Sequence, residues 1–363
     1  MSKFLKLSLI LNIFLFVGCS DNNSIVAIAE TDPVTTSGDA ADDPAILIDY
    51  RNPKESIILG TDKRAGVYSY DLSGKKISYD ALGEINNIDV RQVDNKIYVA
   101  ASNRTAKSIE FWEFNQQDFF NNLPQSGNLF SIAARSMTIQ TNIDVYGICA
   151  GLIDGVPIVF ITEDKGPRVE LWVPQTRTLI GTFSNGGESE GCVFDDENKT
   201  VFISEEEVNG VLKAYNLNNE FPFENPFIVD SREGNIGGDP EGLTIYKTSE
   251  KEGYILLSSQ GDNKYNVYNR MYPHEFISSF TIDDDPKGID GTSETDGIDV
   301  TNYNLRGKFS KGLMVAQDGY NYDGEELKNQ NFKIVPFNPI PVSYTHLRAH
   351  ETEADLVCRL LLE

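Results

Sequence analysis

Histidine is nearly missing from this 363-residue chain: there are three, and two of them, His346 and His350, stand close to its end. The third, His274, sits beside Pro273 in a loop-like stretch, which is not the setting of a histidine nucleophile. Cysteine is scarce as well, with four in all. A thiolate phosphatase needs arginine six residues after its cysteine, yet Cys149 meets Gly155 and Cys192 meets Asn198. Cations are in deficit, with 31 Lys and Arg against 55 Asp and Glu and a formal charge of −24. Such a surface repels nucleic acid and anionic membranes, so an anionic substrate needs a locally basic face or an accompanying metal. No apolar run reaches the roughly 20 residues of a membrane helix.

The longest such run, Leu7 to Val17, follows Lys3 and Lys6 and has the length of a signal peptide. Phe16-Val17-Gly18-Cys19 resembles a bacterial lipobox, in which the cysteine is acylated after cleavage; an ordinary secretory signal is the alternative. Residues 1–19 are therefore expected to be a lipoprotein-type signal with Cys19 lipidated, and 20–37 a flexible polar tether. The expected product is an exported bacterial lipoprotein, periplasmic or held at the outer membrane or cell surface by its lipid alone. Residues 342–363 change character and read as a non-native read-through tail, after a domain at 38–341 whose own C-terminus is truncated. Cys149 and Cys192 follow equivalent positions of neighbouring repeats, so a disulfide is possible, with two buried thiols the expected state.

Six repeats organise the domain. Each joins a polar residue, a tight small residue and an apolar run, at Asp43-Pro44-Ala45-Ile46, Asn87-Ile88-Asp89-Val90, Tyr146-Gly147-Ile148-Cys149, Glu190-Gly191-Cys192-Val193, Glu241-Gly242-Leu243-Thr244 and Asp296-Gly297-Ile298-Asp299. Intervals of 44, 59, 44, 51 and 55 residues suit a four-stranded propeller blade. Period-2 strands such as Val67-Tyr68-Ser69-Tyr70 and Val169-Glu170-Leu171-Trp172 follow in the same order, with no helix of convincing length. The fold class is all-β: a six-bladed propeller of four-stranded antiparallel blades. Its pseudo-symmetry should gather Asp43, Glu190, Glu241 and Asp296 at one central channel.

After each second strand comes a second informative group. Asp62-Lys63-Arg64, Asn103-Arg104 and Glu163-Asp164-Lys165 present cations; Glu205-Glu206-Glu207, Gln260-Gly261-Asp262 and Gln317-Asp318 present oxygens. Oxygen donors without nearby His or Cys favour calcium, with magnesium the weaker alternative. The expected cluster is Asp43, Glu190, Glu205, Asp239, Glu241, Gln260 and Asp296, with Asp42 as a neighbour. Bound divalent ions would neutralise a phosphate and activate a water for attack without a phosphoenzyme.

These residues resemble the β-propeller phytases, over about residues 38–338. The likeness is most specific at Gly38-Asp39-Ala40-Ala41-Asp42-Asp43-Pro44-Ala45-Ile46, Ala101-Ser102-Asn103-Arg104, Ser258-Ser259-Gln260-Gly261, Asp290-Gly291-Thr292-Ser293-Glu294-Thr295-Asp296-Gly297-Ile298-Asp299 and Asn329-Gln330-Asn331-Phe332-Lys333-Ile334-Val335-Pro336. The resemblance implies a calcium-dependent hydrolase of the 3-phytase type, acting on phytate (myo-inositol hexakisphosphate) or calcium-phytate through a cleaving and an adjacent affinity phosphate site. Asp43, Glu190, Asp239, Glu241 and Asp296 would be catalytic, and with Glu205 and Gln260 would bind catalytic calcium. Lys63, Arg64, Arg104, Tyr146 and Lys165 would bind phosphate, and Asp290 and Asp318 would form a structural calcium site. A monomer that binds no nucleic acid is expected. The alternatives are a noncatalytic calcium-dependent polyanion binder and a metal-dependent lactonase-like propeller, whose single-ion site would not need the cations.

Overall fold

Alternating apolar residues bounded by turns become strands throughout the computed structural model, which describes residues 23–123, 128–206, 210–218 and 225–342. The first three blades are Ala41–Leu47, Ile57–Asp62, Gly66–Asp71 and Lys76–Asp80; then Ile85–Val93, Lys96–Asn103, Ser108–Asn115 and Arg135–Gln140; then Val145–Ile153, Val156–Glu163, Arg168–Val173 and Thr178–Ser184. The fourth is Cys192–Asp195, Thr200–Glu205, Val211–Asn216 and Phe227–Ser231, and the fifth Pro240–Lys247, Gly253–Ser259, Lys264–Asn269 and Phe276–Asp283. Ile298–Thr301, Leu313–Asp318 and Asn331–Pro336 begin the sixth. All pairings within these blades are antiparallel, and the first strand of each blade packs beside those of both neighbouring blades, the sixth returning to the first. The six-bladed propeller expected from the repeats is the fold. Among the described residues the only α-helix is Gln116–Asn121, capped by the Asn115 side chain, which accepts from the Asp118 N–H.

Alternation gives every blade two apolar faces, and each packs on a neighbour. Ala45 and Leu59 of the first blade meet Ile88, Val99 and Trp112 of the second, and Leu256 and Phe280 of the fifth meet Met314 and Val335 of the sixth. The core is thus a ring of six interblade layers. Between the third and fourth blades the layer contains a disulfide, Cys149–Cys192, with Cα atoms 5.6 Å apart. This corrects the expectation of free thiols: adjacent first strands place both residues on facing sides of one seam.

The expected tether is also corrected for the residues described. Ser24–Val26 pairs in parallel with Phe276–Asp283 as a fifth strand on the fifth blade, and Ala29–Glu30 pairs antiparallel with Asn331–Pro336. Ala29–Glu30 thereby completes the sixth blade, so the ring is closed by chain segments some 300 residues apart in sequence. Polar composition conceals this role because the strands are two or three residues long and draw their hydrogen bonds from distant partners. Residues 1–22 and 343–363, with Cys19 and the proposed signal and tail, lie outside the described residues.

Candidate active site at the channel mouth

Bulges set which side chains reach the channel. In the first strands of blades one, two, three and five the pairing register breaks between Ala41 and Pro44, Ile85 and Ile88, Val145 and Ile148, and Pro240 and Leu243. The two residues inside each break are re-aimed relative to the ladder. The first of each pair is Asp42, Asn86, Tyr146 or Glu241, and the second is Asp43, Asn87, Gly147 or Gly242. The second position is crowded: a Cβ on Gly147 would fall 1.8 Å from the Glu190 carbonyl oxygen, and one on Gly242 2.6 Å from that of Asp296. Backbone bonds tie this level together, from Gly242 N–H to the Asp296 carbonyl at 2.8 Å and from Gly297 N–H to that of Asp42 at 3.0 Å.

The equivalent channel-mouth residues are therefore Asp42, Asn86, Tyr146, Glu190, Glu241 and Asp296. Asp43, expected among them, is one register off. Its carboxylate accepts the Ile88 N–H at 3.0 Å and lines a separate chamber of about 340 Å³. Acids in that chamber satisfy main-chain N–H groups of neighbouring first strands: Asp299 that of Ile46, Asp89 that of Ala150 and Asp196 that of Leu152, each at 2.8 Å. They are joints between blades.

At the mouth, a cavity of about 380 Å³ is lined by Lys63, Tyr146, Glu190, Glu241, Gln260 and Asp296, among others. Carboxylate oxygens of Glu190, Glu206 and Glu241 lie within 4.8 Å of one another. Asn86 donates to Glu190 at 2.6 Å and Gln260 to Asp296 at 2.5 Å. Lys63 reaches Asp39 at 2.7 Å, Asp296 at 2.9 Å and Asp42 at 3.1 Å. Oδ2 of Asp42, whose Oδ1 faces Lys63, is buried without a hydrogen-bond partner, as are Oε1 of Glu206 and Oε2 of Glu241. Buried anionic oxygens left in that state are costly, and a hard divalent cation is the partner that an all-oxygen donor set selects. The residues fit such an ion.

Charge crowding has the expected electrostatic effect. Burial, then the neighbouring Glu190 and Glu188, pushes Glu206 up to about 9. Burial and the Glu206 and Glu190 charges raise Glu241 well above the carboxylate range, and burial and Glu190 do the same to Asp42 against the pull of Lys63. Asp296 rises to about 6, burial outweighing Lys63. For Lys63 burial opposes the charge, yet Asp42, Asp296 and Glu190 hold its ammonium firmly protonated.

The basic wall is partly assembled. Arg104 donates to Asn86 Oδ1 at 3.0 Å, stacks 5.7 Å from the Tyr146 ring centre and pairs with Asp164 at 3.7 Å. Tyr146 points its hydroxyl to Glu206 at 3.5 Å. Arg64 and Lys165 are exposed; Arg64 donates to the Ser37 carbonyl at 3.2 Å, beside the cavity-lining Gly38.

Four expected metal ligands have other partners. Glu205 is buried against Lys213, while Glu206 enters the cluster, because consecutive residues at a strand end point to opposite sides. Asp239 pairs with Arg232 and is half-exposed. Asp290 and Asp318 do come together, around the buried ammonium of Lys333, which also reaches Glu30 and Asn321. That nest already contains its cation and does not fit a second one. Glu206 and Asn86 are positions at the channel mouth that sequence reasoning did not single out; strand alternation and the bulge register were the signals.

Residues 9–156 and 175–355 match the sequence pattern of the Phytase family. The chain is 34% identical over 329 residues to the 3-phytase of Bacillus subtilis strain 168, covering 87% of this chain and 84% of that one. In fold it is similar to a luciferin-regenerating enzyme, with a TM-score of 0.52 at 12% identity over 86% of this chain and all of the other. The third likeness concerns the propeller alone. The first two extend across the blades that bring Asp42, Glu190, Glu241 and Asp296 together, and on them the chain belongs to the phytase family.

Proposed function

We propose that this protein hydrolyses phosphate monoesters of phytate, using calcium held at the channel mouth by Asp42, Glu190, Glu206, Glu241 and Asp296. The reading is carried by buried oxygens of Asp42, Glu206 and Glu241 that have no hydrogen-bond partner, in a cluster whose Glu241 lines the same cavity as Glu190, Asp296 and Tyr146, the ring on which Arg104 stacks. A divalent cation bound there would neutralise phosphate charge and supply the acidity that lets water attack at neutral pH. The chain's residues do the rest. Asn86 holds Glu190 in orientation and Gln260 holds Asp296, so the donors need not reorganise. Arg104, with its guanidinium over Tyr146, receives the phosphate oxygens that face away from the acids. Among the described residues the lining contains no histidine or cysteine, and the proposed attack by water without a phosphoenzyme needs neither.

Activity belongs to neutral and alkaline pH, because protons compete with the cation for the raised carboxylates and that competition weakens as pH rises. In the same reading the chain is exported through residues 1–19, anchored by a lipid on Cys19 and monomeric, with phytate or calcium-phytate as substrate. Phosphate release from phytate, measured with calcium and again after chelation, tests the proposal. Release that chelation abolishes and calcium restores is expected. Folded protein that binds phytate without turnover would instead make this a polyanion-binding propeller.

A further inference from the structure

Blades four to six supply Glu190, Glu206, Glu241 and Asp296 to the channel mouth, whereas Arg104 and Tyr146 belong to blades two and three. The acids and the wall that receives phosphate therefore meet at two seams, and the chain holds those seams differently. Between blades six and one the ties are polar: Gly297 N–H to the Asp42 carbonyl at 3.0 Å, Ile46 N–H to Asp299 at 2.8 Å and Lys63 to Asp296 at 2.9 Å. Between blades three and four one tie is covalent. Cys149–Cys192 is the only disulfide among the described residues.

The bond lies directly beneath the mouth. Cys149 follows Tyr146 by three residues and Cys192 follows Glu190 by two, and the glycine between Tyr146 and Cys149 leaves no room for a Cβ against the Glu190 carbonyl. Holding the seam together does not by itself call for a covalent link. The hydroxyl joint found at other seams is present here too: Thr162 donates to the Ser189 carbonyl at 2.6 Å, as Thr61 does to that of Asn86 at 2.6 Å, Ser204 to Glu241 at 2.8 Å and Ser258 to Thr295 at 2.7 Å. Asp196 accepts the Leu152 N–H across the same seam at 2.8 Å. What sets this seam apart is its load. Blade four brings two of the three clustered glutamates, Glu190 and Glu206, whose like charges repel Glu241, while Tyr146 of blade three meets them through one hydrogen bond of 3.5 Å to Glu206.

We propose that Cys149 and Cys192 are positioning residues: their bond fixes the ion-binding acids of blade four at a set distance from Tyr146 and Arg104, so that one phosphate is met from both sides at once. This rests on the phytate-hydrolase reading. Without the bond, the acids of blades four to six still move as one body, tied by Ser204 to the Glu241 carbonyl and by Gly242 N–H to that of Asp296 at 2.8 Å. Calcium affinity is then largely kept. The distance from the ion to the guanidinium is no longer fixed, and displacement on the scale of an ångström is enough to slow a reaction that depends on alignment.

The experiment uses the full chain with Cys149→Ala/Cys192→Ala, and with Cys149→Val/Cys192→Ala, which keeps more of the seam filled should the first not fold. Three quantities are read well below Tm: kcat for phytate, the calcium Kd, and the Kd for myo-inositol hexasulfate with calcium present. In the double variants kcat should fall by about tenfold and hexasulfate binding should weaken, while the calcium Kd stays close to wild type. Ser258→Ala loosens the seam between blades five and six, where acids stand on both sides, so it should lower Tm and leave kcat near wild type. Wild-type kcat in a folded double variant would overturn the assignment. So would a calcium Kd that weakens in step with kcat, an equal loss of kcat in Ser258→Ala, or free thiols at both positions in peptide mapping of the alkylated wild type. If the wild type releases no phosphate yet the double variants lose hexasulfate and keep calcium, the positioning role stands and the hydrolase reading falls.

Discussion

Around Lys333 the carboxylates of Glu30, Asp290 and Asp318 share one wholly buried ammonium, whereas at the channel mouth Asp42, Glu190, Glu206, Glu241 and Asp296 have Lys63 alone among the described residues as an ion-pair partner. Both nests gather acids from distant parts of the chain, and both bury most of their carboxylates. In the first the neutralising charge is covalently part of the chain, so the cluster closes the ring, joining the strand Ala29–Glu30 to the last blade. In the second it must come from outside. A shortage of internal cations distinguishes the site that takes up an ion from the one that holds the fold together.

That contrast breaks most readily at Glu206. Glu206→Gln removes an anionic donor from the cluster and should lower kcat/KM for phytate more than about 100-fold, since altering even groups behind a metal ligand costs 10- to 100-fold. Glu205→Gln, one residue away and turned to Lys213, should leave most turnover intact. Equal losses in the two variants would show that the register assigned to this strand end is wrong.

Lys333→Met sharpens the other side. With its cation gone, the nest of Glu30, Asp290 and Asp318 is left with uncompensated charge, and loss of one partner from a buried cluster costs about 3–5 kcal/mol. Chemical denaturation should show that loss, and calcium should then raise Tm by more in the variant than in wild type, because the emptied nest now resembles the channel mouth. A variant as stable as wild type would mean that Lys333 does not hold the sixth blade closed.

Both nests lose stability as pH rises, but in different windows. Burial raises Glu206 to about 9 and Asp296 to about 6, so without metal the folded protein binds more protons than the unfolded chain above the ordinary carboxylate range. Its stability contribution is then lost as pH rises towards 9. Lys333, raised by Asp318 and its other acid partners against the effect of burial, keeps its contribution throughout that window and loses it only above the ordinary lysine range. Chelated protein should therefore show a Tm that falls from about pH 5 to about pH 9, and excess calcium should flatten the slope. A chelated protein with no such slope would mean that the acids at the mouth are not held protonated.

Blade number and strand order were legible because apolar alternation and the repeat period need no knowledge of partners. Glu190, Glu241 and Asp296 were legible too, each followed by a glycine that marks the crowded position. The first two blades lack that mark. Asp42-Asp43 and Asn86-Asn87 are doubled polar residues, so either member can be read as the equivalent, and only the partner strand across the bulge decides. Glu205-Glu206-Glu207 poses the same difficulty, and the strands at Ser24–Val26 and Ala29–Glu30 are too short to show a period.

The doubled aspartate supplies the smallest effect and a direct test of that register. Asp43→Asn keeps an oxygen to accept the Ile88 N–H, so the joint between blades one and two should survive with a stability change below about 1 kcal/mol. Asp42→Asn removes charge from a buried carboxylate with one oxygen on Lys63 and the other without a hydrogen-bond partner, and it should cost both calcium affinity and turnover. Burial, and then the nearby Asp89 and Glu190, already raise Asp43, so exchanging its carboxyl for an amide alters little that the folded protein uses at neutral pH. Calcium titrations of the two variants should therefore separate cleanly. If Asp43→Asn loses the ion and Asp42→Asn keeps it, the bulge directs the other aspartate to the mouth.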